Sequence, residues 1–169
     1  TLRCQGKLKS GAFSIPGNVS SQFITGLTFA LCLMEQKCTL KITDKIESKP
    51  YLDLTNQAVT LFDGGFGKKR FRSPGHLLVE GDWSNAAFFL AAKAMGSDIT
   101  VENLNFESSQ GDLACNQLFT DLVSNCTIPC GDIPDLVPIL CVVAAAKCGA
   151  NFKNIRRLHI VRIRILLYV

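Results

Sequence analysis

The sequence predicts an α/β fold, and three observations lead there. One plan recurs three times: a polar, turn-like start, an apolar helix pattern of about ten residues, a short break, then a strand pattern. Hydrophobic residues make up 47% of the 169, enough for a core in one ordinary domain or two small ones. Two breakpoints, DGGFGKKRFRSPG at 63–75 and EGDW at 80–83, divide the chain into halves of about 80 and 90 residues.

The first repeat runs from SSQFITGLTFALCLM, starting at Ser20, to the strand pattern CTLKIT ending at Thr43. An outer helix follows at about 52–62, LDLTNQAVTLF. The glycine-rich and basic stretch 63–75 reads as a loop leading to an edge strand. Its GGFG resembles a phosphate loop only weakly, since no G-K-[ST] and no helix follow, and Lys68, Lys69, Arg70 and Arg72 read as a solvated face. The second repeat is WSNAAFFLAAKAMG, from Trp83, followed by SDITVENL, and a further outer helix is expected at about 112–123. The third is DIPDLVPILCVVAAAKCG, from Asp132, followed by ANFKNI.

Each repeated helix opens on residues that cap well: Ser20 or Ser21, Ser84 or Asn85, and Asp132 or Asp135, with Pro134 near a first turn. Gly96 and Gly149 follow two of them where a left-handed residue closes a helix. The three helices are apolar nearly all round, which predicts cover on every side, as a sheath of sheet would give.

Charge narrows the function classes. Of 18 Lys and Arg, four (Arg156, Arg157, Arg162 and Arg164) lie in the last fourteen residues, which hold no acid. The other 14 balance the 14 Asp and Glu, so residues 1–155 carry no net charge and lack the basic stripe of a nucleic-acid binder. The eight cysteines include no C-x-x-C pair and stand with only two histidines, so a tetrahedral metal site has poor spacing. They read as reduced, packed thiols of a reducing compartment. The longest apolar helix patterns, 23–34 and 136–146, fall short of the roughly 20 residues of a membrane span, and no signal peptide is visible. A soluble, cytoplasmic protein is expected. Thr1 is not an initiator methionine, so the chain is expected to begin inside a longer reading frame.

The polar helix heads are the candidate functional residues. A helix N-terminus presents unpaired N–H groups and a partial positive charge, and serine hydroxyls add donors there, so Ser20 and Ser21 suit a phosphate as well as a simple cap. Gln22 can offer its amide to a hydroxyl or carboxylate over the helix end, or face solvent. ESKPYLDLT repeats the theme with Ser48 as a hydroxyl donor, Lys49 as a cation and Tyr51 as an apolar plate with a polar tip, although a tyrosine in a half-buried strand is the ordinary reading. Of Asp132 and Asp135, one can cap and the other can bind hydroxyls or take a proton; two carboxylates at a helix start also suit its dipole without any chemistry.

SSQFITGL, SKPYLDLT, VEGDWSNAAFFLAA, QGD and DIPDLVPIL, in that order, resemble the 5-enolpyruvylshikimate-3-phosphate synthase family from about residue 10 to 158. The resemblance implies an enolpyruvyl transferase-like fold of repeated βαβαββ units with buried helices packed against sheets. It implies that residues 1–79 form the later part of one domain and 80–169 the early part of the other. It also implies transfer of the carboxyvinyl group of phosphoenolpyruvate to the 5-hydroxyl of shikimate 3-phosphate, through a tetrahedral intermediate, with release of phosphate and with neither metal nor cofactor. By the same resemblance Ser20 and Ser21 bind shikimate 3-phosphate, with its phosphate shared with Ser48. Gln22 reaches both substrates, Tyr51 lies against the ring, and Asp135 binds ring hydroxyls and accepts the proton. The full-length parent is expected to be a monomer, with no nucleic-acid or membrane partner.

The pattern breaks after NIRRLHI, where the family continues with Lys-Glu-Ser or Thr-Asp-Arg and this chain has Val161 to Ile165. Written AGA-ATC-AGA-ATC, residues 162–165 read one base later give Glu-Ser-Glu-Ser, so a frameshift just after His159 or Ile160 is one expectation; a terminal edge strand is the other. The connections Leu61–Phe71 and Val123–Asp132 look short by a turn or hairpin. Several cations that hold the two anionic substrates are absent, so the chain alone is expected to be inactive. Three rival readings follow: a degenerate, non-catalytic remnant or binding module of the same fold, a UDP-N-acetylglucosamine enolpyruvyl transferase, and an interaction protein using the basic tail.

Overall fold

A computed structural model describes residues 1, 3, 5–123, 126–156 and 158. The tail on which the frameshift and terminal-strand readings rest lies outside the described residues. Two compact units, Thr1–Leu77 and Leu78–Val169, divide the chain. Both mix helices with a short parallel strand pair, which is an α/β composition.

The first unit runs β1 (Ala12–Pro16), α1 (Ser21–Cys32), β2 (Thr39–Thr43), α2 (Lys49–Leu61). Strands β1 and β2 are parallel neighbours, paired from Ala12 with Thr39 to Pro16 with Thr43. Alternation sets their faces: Phe13, Ile15, Leu40 and Ile42 are half-buried, while Ala12, Ser14, Thr39 and Lys41 face water. Helix α1 crosses between the strands and buries Ile24, Leu31 and Cys32. Parallel strands need such a crossover, which returns the chain to the same edge before each new strand.

The second unit runs α3 (Trp83–Ala94), a 3-10 turn (Gly111–Ala114), α4 (Cys115–Asp121), β3 (Cys126–Pro129), a second 3-10 turn (Pro134–Leu136), α5 (Val137–Lys147) and β4 (Ala150–Lys153). Strands β3 and β4 are also parallel, with α5 as their crossover. The core gathers Trp83, Ala87, Cys115, Phe119, Leu140 and Val143. Glu80 braces the loop that closes it, accepting hydrogen bonds from Ser108 Oγ at 2.6 Å and from Gln110 Nε2 and Asn105 Nδ2 at 2.8 Å each. These donors, Gln110 first, hold the Glu80 carboxyl below its ordinary value.

Several expectations change at this level. The predicted caps Ser84 or Asn85 give way to Asp82, whose Oδ1 accepts from the Ser84 N–H at 2.9 Å. Neither Asp132 nor Asp135 stands at a cap position; Ile133 precedes the 3-10 turn, which Pro134 starts, and Leu136 precedes α5. Helix α2 begins earlier than expected, at Lys49 with Pro50 in its first turn, so Tyr51 is helical and half-buried rather than in a strand. Gly96 and Gly149 close α3 and α5 with φ of +104° and +74°, as the sequence predicts.

The segments 97–104 and 76–79, expected as strands, are irregular and join no ladder. Asn103 turns left-handed at φ +61°, which breaks the period-two run of TVENL, and no described strand lies beside either segment. The apolar helices are not sheathed. On α1, Phe23 is 61% exposed and Phe29 37%; on α3, Phe88 is 60% and Phe89 56%. Two strands about 4.8 Å apart cannot wrap a helix about 10 Å across, so one face of each remains open.

The described cysteines are free thiols, and Cys32, Cys38, Cys115 and Cys130 are buried. Burial pushes the Cys115 thiol up to about 12, helped by the Asp112 carboxylate, and Cys130 up to about 11. At those values both remain protonated, as packed hydrophobes rather than nucleophiles. No helix among the described residues is long and apolar enough to cross a membrane.

Candidate functional site

Both helices of the first unit start where a parallel strand ends, so their heads share the carboxyl edge of the β1–β2 pair. Open α/β sheets bind ligands outside the carboxyl ends of their strands. Gly17 ties the two heads together. Its N–H donates to the Thr43 carbonyl at 2.7 Å, and its own carbonyl accepts from the Glu47 N–H at 3.2 Å, one residue before Ser48.

A side chain at Gly17 would meet Ile42 Cγ2 at 3.0 Å and both Ile46 Cα and the Thr43 oxygen at 3.1 Å. Two of those three are backbone atoms that cannot swing away. Gly17→Ala should therefore cost the first unit about 1–3 kcal/mol, the usual range for forcing a methyl into a packed site. Urea unfolding followed by circular dichroism checks it; an unchanged midpoint would show the edge to be looser than drawn.

At the head of α1, Ser20 is the cap: its backbone is extended, and its Oγ accepts from the Gln22 N–H at 3.3 Å. Ser21 is buried, while Gln22 is exposed. No acidic residue lies in the first turn of α1, so nothing there competes with an anion for the positive helix end. At the head of α2, Ser48 is 1% exposed with a left-handed backbone, φ +56°, and its side chain makes no capping bond. Lys49 points its ammonium to Asp53, 2.6 Å away along α2. Tyr51 lies in the first turn. The structure thus brings Ser20, Ser21, Gln22, Ser48 and Tyr51 to one edge of one unit.

Asp135 belongs to the second unit, in the 3-10 turn between β3 and α5, again beyond the carboxyl end of a parallel strand. It is exposed while its neighbours Ile133 and Leu136 are buried, and the Leu136 N–H donates to the Ile133 carbonyl at 3.2 Å. The carboxylate therefore sits on a fixed turn anchored by apolar side chains. Among the described residues no group of three or more His, Cys, Asp or Glu could hold a metal ion.

Sequence reasoning missed three further groups. Asp112 is buried at 3% exposure and accepts a hydrogen bond from Ser84 Oγ, which joins the head of α3 to the Gly111–Ala114 turn. Glu80 gathers the 105–110 loop, as described above. Thr25 and Thr55 join α1 to α2 through their hydroxyls. The last had a legible signal, since each threonine follows a candidate residue, Ser21 or Tyr51, by one helical turn.

Residues 1–128 match the family model described as EPSP synthase (3-phosphoshikimate 1-carboxyvinyltransferase). A 3-phosphoshikimate 1-carboxyvinyltransferase of Clostridium perfringens is 34% identical over 88% of this chain and 42% of its own. Namesakes in Clostridium beijerinckii and Clostridioides difficile are 35% and 32% identical, over 89% and 97% of this chain. The chain spans less than half the length of these curated relatives, 41% of the former and 46% of the latter. The C. difficile alignment runs over 201 residues against 169 here, so the relative carries at least 32 (201 less 169) that this chain lacks within the matched region. With the family match covering residues 1–128 and the relatives agreeing in kind, the chain belongs to the EPSP synthase (3-phosphoshikimate 1-carboxyvinyltransferase) family.

Proposed function

We propose that the protein of which this chain is part transfers the carboxyvinyl group of phosphoenolpyruvate to the 5-hydroxyl of shikimate 3-phosphate, a step of aromatic amino acid biosynthesis. The hydroxyl oxygen bonds to C2 of phosphoenolpyruvate while C3 takes a proton, giving a tetrahedral adduct. C3 then loses a proton as the C2–O bond to phosphate breaks, which restores the vinyl group. In this reading Asp135 accepts the proton of the hydroxyl. Ser20, Ser21 and Ser48 hold the phosphate of shikimate 3-phosphate, Gln22 spans both substrates, and Tyr51 covers the ring.

The observation that carries the reading is the shared edge in the first unit, where two helix heads with three serines meet and no acid stands in either first turn. Family membership supplies the identity of the substrates. Residues 1–79 then belong to the later part of one domain built from repeated βαβαββ units, and 80–169 to the early part of the other. The parent is a cytoplasmic monomer that engages neither nucleic acid nor membrane, in keeping with the zero net charge of residues 1–155.

Calorimetric titration of the full-length protein with shikimate 3-phosphate tests the binding half of this reading. Ser48→Ala is expected to weaken binding by about tenfold or more, the loss of one hydrogen bond to a charged group. Equal affinity in the variant, or preference for UDP-N-acetylglucosamine over shikimate 3-phosphate, would overturn it.

A further inference from the structure

Thr25 stands one turn beyond Ser21 on α1, and Thr55 one turn beyond Tyr51 on α2. Their Oγ1 atoms are 2.8 Å apart, and the Thr55 hydroxyl also donates to the Tyr51 carbonyl at 2.8 Å. A hydroxyl has one proton to give, so with Thr55 donating to Tyr51 it is Thr25 that donates across the helix interface. The chain of bonds runs from α1 through Thr55 into the first turn of α2. Thr55 is 7% exposed, so neither water nor a rotamer change readily replaces this partner.

We propose that Thr25 and Thr55 are positioning residues, a strut that sets the spacing between the heads of α1 and α2 so that Ser20, Ser21 and Ser48 converge on a single phosphate monoester. The proposal rests on the reading of those serines given above. Its physical basis is leverage over a short distance. The strut lies about 6 Å along α1 from Ser21 and about 10 Å along α2 from Ser48, close enough that a shift of the interface carries to the heads. Displacements of about 1 Å in a binding group are costly to function even where the fold survives.

A merely structural hydrogen bond makes a different prediction from a strut, and valine separates them. Thr25→Val or Thr55→Val alone leaves the other hydroxyl without its cross-helix partner and should lower stability. Replacing both with groups of the same shape can be nearly neutral, so the double variant should regain most of the stability. If the pair is a strut, the double variant still binds shikimate 3-phosphate more weakly, on the order of fivefold, the equivalent of one ordinary hydrogen bond. Thr25→Ser, which keeps the hydroxyl, should bind as the unaltered protein does.

The measurement is calorimetric titration of the full-length protein of which this chain is part, and of its variants, with shikimate 3-phosphate, beside urea unfolding of each. Affinity that tracks stability, with the double variant binding as the unaltered protein, overturns the strut while leaving the phosphate reading standing, provided Ser48→Ala weakens binding in the same series. If Ser48→Ala has no effect, or the unaltered full-length protein does not bind, the phosphate reading fails and the strut with it.

Discussion

Trp83→Ala should remove about 3–5 kcal/mol from the second unit, as truncation of a buried large aromatic does. The indole is fully buried at the start of α3, with its ring edge-on to Phe106 at a centroid distance of 5.3 Å. Its Nε1–H donates to the Asn105 carbonyl at 3.0 Å, and its backbone N–H donates to Gln110 Oε1 at 2.8 Å. The residue is therefore both the largest piece of the core and a tie to the loop that Glu80 braces. Alanine leaves a cavity and a carbonyl without its donor, and domains of this size hold only about 5–15 kcal/mol in total. Trp83→Phe, which keeps most of the volume and loses the N–H, should cost about 1–2 kcal/mol. Amide hydrogen exchange in α3 and α5 reads both, since the variants lack the tryptophan that fluorescence would use. A loss under about 1 kcal/mol for alanine would mean the core is not built around this ring.

Asp135→Asn is expected to lower turnover of the full-length protein by about 10²–10⁴-fold, the span ordinarily lost with a general base. Asparagine keeps the size and one carbonyl oxygen but cannot take a proton. The turn that carries it is anchored by Ile133 and Leu136, so the substitution should leave the backbone in place. KM for shikimate 3-phosphate should change only a fewfold, because the amide still offers hydrogen bonds to ring hydroxyls. Steady-state phosphate release is the assay. Unchanged kcat would remove Asp135 from proton transfer and leave it a binding role at most.

How much of this was legible from sequence depended on how local each signal was. Helices α1, α3 and α5 were readable because their apolar runs are long and bounded by serines, aspartates and glycines. The exact caps were less so: Asp82 rather than Ser84 opens α3, a choice between near neighbours that spacing alone does not make. The segment SDITVENL carries strand-like residues, yet a strand exists only with a neighbour to pair with, and the pairing is not local. The sheath expected around the helices failed for the same reason. Apolar surface on α1 and α3 shows that cover is wanted, not that it is present. The candidate residues on α1 and α2 could be picked out singly, whereas their meeting at one edge follows from the parallel register of β1 and β2.

Ser48 carries one further consequence. Its left-handed backbone suits glycine, and any side chain there gives up about 1 kcal/mol. Serine at this position is thus a standing concession of stability in exchange for a hydroxyl. A change to glycine there would relieve the backbone and remove a buried hydroxyl in one step, so the same substitution reads both the strain this position holds and the use to which its oxygen is put.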